Sequence, residues 1–412
     1  MQFSTLAHLH YSRLTKYRHL VTLTLHAYRR AMLVPISVLI LVLFLLVLLL
    51  GAWAYCGLSV LAAVTYLRQP SAADSASNEP ISVLKPLAGL DEGLEENLRT
   101  FFEQDYSAFE LVFAVREISD PCIEVVERLR AQHPAIPSRL IITGEPPYPH
   151  AKVYSLSRML MEARHDLVVM SDSDIRVGRD FLTTISSEFA AGEIALATCP
   201  YRAVAGASFW SKVEALGMNT SFWQGVLTAR MIDGMKFAVG PTIVARKKAL
   251  DAVGGIDSVR NYLAEDFELG RAVANSGGRV VLSSYVIEHR IGSEPLGKNF
   301  AHRNRWVRTS RRSRPWGYIG QIFTFPVPVA ALLCAIMPAW WPLLIMTLVI
   351  RYASAWMTAH VVLGAPLNFL LLPCEDALGF AFWIAGFFGS TIAWRGRVYR
   401  IDRRGRAVGL AE

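Results

Sequence analysis

Hydrophobic positions fall along this chain in three regimes. From Leu33 to Leu67 the residues are apolar almost without interruption. From Ile81 to about Glu294 short apolar runs alternate with stretches of amphipathic spacing. From Ile319 to Trp394 the chain is apolar again, broken by Pro326, Pro328, Pro338, Pro342, Arg351 and the pair Glu375–Asp376. A spanning helix needs about 20 residues, so the first regime predicts one long span or a tight hairpin folding near Gly51. It is too long for a cleaved signal peptide. The last regime divides into apolar stretches near 320–337, 339–364 and 377–394. Basic segments flank it on both sides, which requires an even number of crossings if both stay inside. One stretch is therefore expected to be re-entrant or interfacial, and the proline-rich first is the one chosen.

The middle regime carries the fold. ISVL at 81, LVFAV at 111, LIIT at 140, LVVM at 167 and IALATC at 194 read as buried strands separated by helices. That rhythm predicts an α/β domain around a mostly parallel, Rossmann-like sheet, flanked by transmembrane helices. Residues 69–80, QPSAADSASNEP, read as a linker. The expected division is 1–70 for a basic N-terminal segment and membrane anchor, 71–80 for the linker and 81–295 for the α/β domain. Residues 296–318 form an Arg-rich interfacial helix, 319–394 a C-terminal membrane region and 395–412 a basic cytosolic tail. The aromatic-rich segment 208–230 fits a lipid groove or ordinary core packing equally well.

Composition refines this picture. The chain has 412 residues, 53% hydrophobic, and a net charge of +8. The basic residues sit beside the apolar segments, so anionic lipid headgroups are the expected partner and nucleic acid is not. Arg303, Arg305, Arg308, Arg311, Arg312 and Arg314 occur among Trp306, Trp316 and Tyr318, the composition of a membrane-surface helix. Arg13, Lys16, Arg18, Arg29 and Arg30 precede the first apolar run with no acid among them. The positive-inside rule would hold that end in the cytoplasm, in conflict with a single span followed by a cytoplasmic domain. A re-entrant hairpin, a start at Met32, or dominance of the downstream charges would each resolve the conflict. Cys56, Cys122, Cys199, Cys334 and Cys374 are far apart, which indicates neither a zinc site nor a disulfide framework.

The chemistry begins where LVVM runs into SDSDIRVG. Asp172 and Asp174 leave the carboxyl end of a buried strand, where open α/β sheets bind ligands. A D-x-D pair there suits a hard divalent cation able to neutralise a diphosphate; an Asx-rich turn is the alternative. Lys85 follows the first strand and either faces phosphate or nucleotide base, or is a solvated loop residue. Lys152 opens a predicted helix, where the dipole disfavours a cation and a phosphate partner would explain it. His150 and His289 read as surface or loop residues. Gly240–Pro241 fits a turn where an acceptor's polar head approaches backbone.

ISVLKPLAG, NLRTFFEQDY, AKVYSLSRML, SDSDIRVG, YLAEDFELG and HRNRW occur in one order with regular spacing. Together they resemble the ceramide glucosyltransferase branch of the GT-A glycosyltransferases, a branch that includes bacterial enzymes of hopanoid biosynthesis. The resemblance spans roughly 80–320 and implies a GT-A fold, a UDP-sugar donor, a lipid alcohol acceptor and inversion at the anomeric carbon. It makes Asp172 and Asp174 ligands of Mg²⁺ or Mn²⁺, the first the firmer match. It makes Asp266 the general base, with Glu265 in reserve; an acidic helix N-terminus would also account for Glu265, Asp266 and Glu268. Glu117, or Asp120 close by, matches an acid on the uridine side of the donor, and Lys85 and Lys152 join the donor site. His302, Arg303, Arg305 and Trp306 match a (Q/R)-x-x-R-W motif that closes the site, with His302 standing where Gln or Arg is usual. Arg305 is expected to pair with the diphosphate and Trp306 to pack on acceptor or donor.

The expected function is therefore inverting transfer of glucose or N-acetylglucosamine from a UDP-sugar to a membrane lipid hydroxyl. A ceramide-type acceptor comes first and a hopanoid, bacteriohopanetetrol, second. The expected setting is a bacterial-type inner membrane with the catalytic domain facing the cytoplasm. A non-catalytic nucleotide-binding membrane scaffold is the reading from another class. A processive synthase would need more spans. A transporter would need intramembrane charged pairs, and Arg351 has no evident partner in the sequence.

Overall fold

A computed structural model describes residues 36–69, 77–190, 193–394, 397–402 and 405–409. The basic residues Arg13 to Arg30, Met32, and positions 71–76 of the linker lie outside them. The first apolar run is one continuous helix, α1 (Ile36–Leu67). The hairpin expected as one possibility near Gly51 is absent, because that glycine sits mid-helix against the ring of Phe323. The outer part of α1 packs Val42, Leu45 and Leu49 on Val329, Ala330 and Leu333. Its last turns enter the α/β core, where Tyr66 Oη donates to the Ser283 carbonyl at 2.7 Å.

The α/β domain runs β1 (Ile81–Pro86), α2 (Leu94–Phe102), β2 (Phe109–Val115), α3 (Cys122–Gln132), β3 (Ser138–Ile142), α4 (Ala151–Glu162), β4 (Leu167–Ser171), β5 (Ile175–Arg176), α5 (Phe181–Ala190), β6 (Ile194–Thr198), β7 (Tyr201–Ala205) and α6 (Phe209–Gly217). It continues through a π-helical turn (Met218–Phe222), α7 (Trp223–Asp233), β8 (Thr242–Arg246), α8 (Lys247–Asp251), α9 (Glu265–Asn275), β9 (Arg279–Leu282) and β10 (Ile287–Gly292). The seven-stranded sheet has the order β3-β2-β1-β4-β8-β6-β9. β3, β2, β1 and β4 are parallel, and β8 is antiparallel to both of its neighbours. β2 and β4 are buried throughout and β1 up to its last residue, which is why they read as apolar runs without alternation. One face packs on α2, α3, α5 and α7, the other on α4, α8 and α9. Trp223, in the aromatic-rich segment, is fully buried core. A second sheet, β5-β10-β7, stands beside the carboxyl end of β4.

Beyond it come α10 (Leu296–Ser313), α11 (Pro315–Gly320), α12 (Pro326–Ile336), α13 (Trp341–Trp356) and α14 (Leu372–Gly386). By length and composition Ile36–Leu67 and Pro338–Val362 suffice to cross a membrane, and Pro315–Ile336 forms a further apolar pair bent by 58°. Among the described residues, the stretch 377–394 holds no helix long enough to cross a membrane. α14 has 15 residues, and the chain turns at Gly389 (φ 79°) into β11 (Thr391–Trp394). β12 (Arg397–Ile401) and β13 (Ala407–Gly409) complete an antiparallel sheet with β11, so the described residues of the basic tail, 397–402 and 405–409, belong to a folded element. In α10, Arg308 and Arg311 bind the carbonyls of Thr391, Phe387 and Gly389 just beyond α14, while Trp316 is 84% exposed.

Arg351, expected to lack a partner, is the most heavily bonded side chain of the membrane region. Its Nε and Nη2 grip both oxygens of Asp376 at 2.7–3.0 Å. Nη1 donates to Gln224 Oε1 at 2.9 Å and Nη2 to Ser221 Oγ at 2.8 Å. Beside it Arg303 on α10 pairs with Glu375 at 2.6 Å. One ion pair, with both partners 1% exposed, therefore joins α13 to α14, the other joins α10 to α14, and the bonds from Arg351 to Gln224 and Ser221 tie the helices to the α/β domain. Breaking such a pair strands a buried charge, so Asp376→Asn or Arg351→Met is expected to cost about 3–5 kcal/mol of stability. The double variant Arg351→Met/Asp376→Leu should recover most of it in denaturation of the detergent-solubilised protein.

Candidate active site

The site forms where β4 ends. After Ser171 the chain leaves the sheet, and the Asp172 N–H donates to the Pro241 carbonyl at 2.9 Å. Pro241 leads into β8, so the antiparallel insertion of β8 brings the Gly240–Pro241 turn against the first aspartate. Across the opening stand the first turns of α4 and α9. A small cleft is lined by Lys152 of α4, Asp172, Gly240, and Glu265 and Asp266 of α9. The space at Gly240 is occupied by the base candidate itself, since a side chain there would put its Cβ 3.1 Å from Asp266 Oδ2.

Lys152 ties the cluster together. Its ammonium lies 2.7 Å from Asp172 Oδ1 and 3.1 Å from Glu265 Oε1. His150 caps α4, its Nδ1 accepting from the Val153 N–H at 3.4 Å. Its Nε2 is left to donate to Glu265 Oε2 at 3.2 Å. His150 is therefore a buried member of the site, correcting the surface assignment. These partners separate two adjacent carboxyls. Burial alone would raise Glu265, but Lys152 and then His150 outweigh it and hold it well below the ordinary carboxylate range. Asp266 is raised to about 7 by burial and by the charge of Glu265. Asp172 is raised by burial, Lys152 opposing and Asp174 assisting. The ammonium of Lys152 is also raised: burial opposes this, but its carboxylate neighbours, Asp172 first, together outweigh it.

Asp174 belongs to a neighbouring arrangement. Its Oδ2 lies 3.1 Å from His289 Nε2, on β10 of the small sheet. Burial opposes the ionisation of both, yet mutual attraction prevails, holding Asp174 low and His289 high. His289 is thus no surface residue either; Tyr201 packs edge-on against it at 5.1 Å. Asp174 Oδ1 and His289 Nδ1 are buried with no protein partner among the described residues. Neither histidine was legible, because each gains its partner across 115 residues of sequence.

The remaining expected residues divide. Lys85 is the penultimate residue of β1 and fully buried. It donates to Ser171 Oγ at 3.2 Å and to the Asp172 carbonyl, with Phe101 4.0 Å below. Burial, against three nearby aspartates, lowers it to about 7. It braces the exit of β4 and is not a solvated loop lysine. Glu117 is exposed and paired with Arg116, while Asp120 accepts from the Gly89 N–H. His302 Nδ1 lies 2.7 Å from the buried Glu214, and Arg303 is engaged with Glu375 and the face of Phe382. Arg305 is half-buried on α10. Trp306 lies against His302 and Phe222, and Phe222 stacks on Tyr201 beside His289. Asp172 and Asp266 thus meet in one cavity; Asp174 flanks it, and the α10 motif reaches it through an aromatic chain.

The geometry can now be set beside known proteins. Among solved structures, mannosyltransferase PcManGT from Pyrobaculum calidifontis, in complex with GDP-Man and Mn²⁺, superposes with a TM-score of 0.52. That likeness covers 84% of this chain and 99% of that one at 18% identity, and supports the expected glycosyltransferase fold alone. Ceramide glucosyltransferase 1 of Caenorhabditis elegans is 30% identical over 233 residues, 55% of this chain and 49% of that protein. Ceramide glucosyltransferase 3 of the same organism is 25% identical over 347 residues, 81% of this chain and 75% of that protein. The chain thus aligns with about half the length of the first relative and three quarters of the second. The profile of glycosyl transferase family 21 runs from residue 42 to residue 407, through both membrane regions and the site between them, and the chain belongs to that family.

Proposed function

We propose that this protein transfers a hexose, glucose or N-acetylglucosamine, from a UDP-sugar to the hydroxyl of a membrane lipid, with inversion at the anomeric carbon. A ceramide-type acceptor comes first, because both relatives above carry ceramide in their names. The observation that carries the reading is the cavity that Asp172 and Asp266 line together. Membrane helices packed on the same domain bring a lipid hydroxyl within its range. The charged donor arrives from water, and we assign the catalytic side to the cytoplasmic face of a bacterial-type inner membrane.

Asp266 is the general base. A pKa near 7 leaves much of it ionised at neutral pH and still able to hold a proton, the balance such catalysis needs. Glu265, held acidic by Lys152 and His150, is the poorer base and anchors α9 instead. Attack opposite the departing UDP turns an α-linked donor into a β-glycoside. Asp172 and Asp174 offer hard oxygen donors, and the orphaned Asp174 Oδ1 fits a cation. Among the described residues no three His, Cys, Asp or Glu converge closely enough to hold an ion alone. A Mg²⁺ or Mn²⁺ held by these two carboxylates would be completed by substrate oxygens. When bound it would supply Lewis-acid stabilisation of the diphosphate. Lys152 and Arg305 add positive charge for that leaving group, Trp306 packs on the acceptor, and Glu117 serves the uridine side. His302 and Arg303 hold α10 through Glu214 and Glu375.

Purified protein incubated in detergent with UDP-sugars and lipid extracts should add one hexose or N-acetylhexosamine to a sphingoid lipid, read by mass spectrometry. A gain on a triterpenoid backbone would replace the acceptor, and no gain on any lipid would overturn the reading. Asp266→Asn should lower kcat by roughly 10²–10⁴-fold while UDP binding persists; a scaffold would keep its function. The base must be ionised, so kcat/KM should climb about tenfold per pH unit below pH 7 and level off above it. Glu265→Gln removes the charge that helps raise Asp266, so this limb should move to lower pH.

A further inference from the structure

The motif YLAEDFELG contains more than its acids require. Tyr262 and Leu263 do not line the cavity, yet they open the segment that delivers Glu265 and Asp266. Upstream, the loop is fixed: Ile256 and Val259 are buried in the core, and Asp257 accepts from Tyr148 Oη at 2.5 Å and Ser157 Oγ at 2.8 Å. Between Val259 and α9 the chain comes to the surface, with Arg260 and Asn261 exposed.

What meets that surface stretch is the C-terminal sheet. The Ala407 N–H donates to the Asn261 carbonyl at 2.8 Å, and Arg406 pairs with Tyr262 in an antiparallel bridge. The Arg406 guanidinium also donates through Nε to Tyr262 Oη at 3.3 Å and lies 5.7 Å from the ring centre. Ile392, Tyr399 and Ile401 bury themselves against Leu263 and Ala407. The sheet is anchored at its other end on α10, through Arg308 to the Thr391 carbonyl at 2.6 Å and Arg311 to the Gly389 carbonyl at 2.9 Å. At Gly389 a Cβ would lie 3.2 Å from Arg308 Nη2, and φ is +79° there, so this glycine is fitted to the anchor.

We propose that the C-terminal sheet is a strap that positions the catalytic loop, with Arg406 and Tyr262 as positioning residues for Asp266. The strap adds main-chain pairing, an apolar cluster and a guanidinium–ring contact to a loop that is exposed at Arg260 and Asn261 and half-buried from Tyr262 to Ala264. It also links the arginine-rich helix to the base, so that the element leading into the membrane region and the element holding Asp266 share one folded unit. The proposal rests on Asp266 as the base, and a carboxylate displaced by about 1 Å can lose on the order of 10²-fold in rate.

The test uses the full chain in detergent, with Arg406→Ala and Tyr262→Ala, and a chain ending at Gly389. Each is read by lipid glycosylation, UDP affinity and hydrogen exchange at residues 261–266. The expected result is a 10- to 100-fold fall in kcat, UDP affinity within about twofold of the parent, and faster exchange confined to that loop. Tyr262→Phe, which keeps the ring, should restore most of the rate. Unchanged kcat and unchanged exchange in Arg406→Ala would overturn the strap, as would loss of UDP binding together with exchange throughout the domain, which would mark a general scaffold role. Failure of the base reading is seen separately, as full turnover by Asp266→Asn, and leaves the exchange result to judge the strap alone.

Discussion

One ammonium group holds the site in shape. Lys152 reaches from the first turn of α4 to Asp172 at the exit of β4 and to Glu265 at the start of α9. Four carboxylates, at 172, 174, 265 and 266, gather around one end of the sheet, and without cations among them they would repel one another. The cations are distributed unequally. Glu265 receives Lys152 and His150, Asp174 receives His289, and Asp266 accepts from the backbone N–H groups of Phe267 and Gly240. Adjacent acids are pushed to opposite ends of the titration range by that distribution, which is how one fold makes one carboxyl a base and its neighbour an anchor. The helix disfavours a lysine at its N-terminus; the carboxylates from two other elements reverse the sign.

A second constraint fixes this site relative to the apolar helices. Taking Arg351 and Asp376 out of water is costly, and the pair is stabilised only because its geometry satisfies nearly every donor. Gln224 and Ser221 supply the remaining acceptors from α7 and the π-helical turn. The same turn carries Phe222, stacked on Tyr201, and Asn219, whose amide bonds both the N–H and the carbonyl of Ala203 in β7. The widened helical turn lets Asn219, Ser221 and Phe222 serve the small sheet, α13 and Trp306 together. A charged pair inside an apolar region and the aromatic rings beside His289 are thus parts of one packed connection between helix bundle and sheet.

What the sequence made legible was local. The buried parallel strands announce themselves because both faces are apolar, and the acidic pairs stand out because they end a strand and begin a helix. What it hid depends on partners distant in sequence. β8 is only TIVAR, and it becomes a central strand because β4 and β6 lie on either side of it. β5 has two residues and exists through its pairing with β10. His150 and His289 look like ordinary polar positions until Glu265 and Asp174 arrive across the fold. Arg351 seemed unpaired because its acid is 25 residues away, past a break in helix, and its amide partner 127 residues away. The arginines of α10 read as headgroup binders by composition, yet Arg303, Arg308 and Arg311 are consumed by Glu375 and by carbonyls following α14.

The docked tail also limits how the apolar helices can run. β12 and β13 pack on Tyr262 and Leu263 of the catalytic domain, so the chain after α14 lies on the same side of the membrane as α10. An even number of crossings must therefore separate Ser313 from Thr391. Of the described helices between them, Pro338–Val362 is long enough to cross, α14 is too short, and the bent pair Pro315–Ile336 is the remaining candidate. If Pro338–Val362 crosses, the bent pair must cross as well. The prolines that suggested a re-entrant loop then have another physical role. Pro326 opens α12 after Phe325 leaves helical geometry, and would then divide one path through the bilayer into two segments at 58°. A broken span is tolerated in lipid only where its freed backbone groups are shielded by protein. Here the Phe325 N–H donates to the Ile322 carbonyl, Thr324 donates to the Gln321 carbonyl, and both residues are buried. Backbone satisfaction permits the path that parity requires.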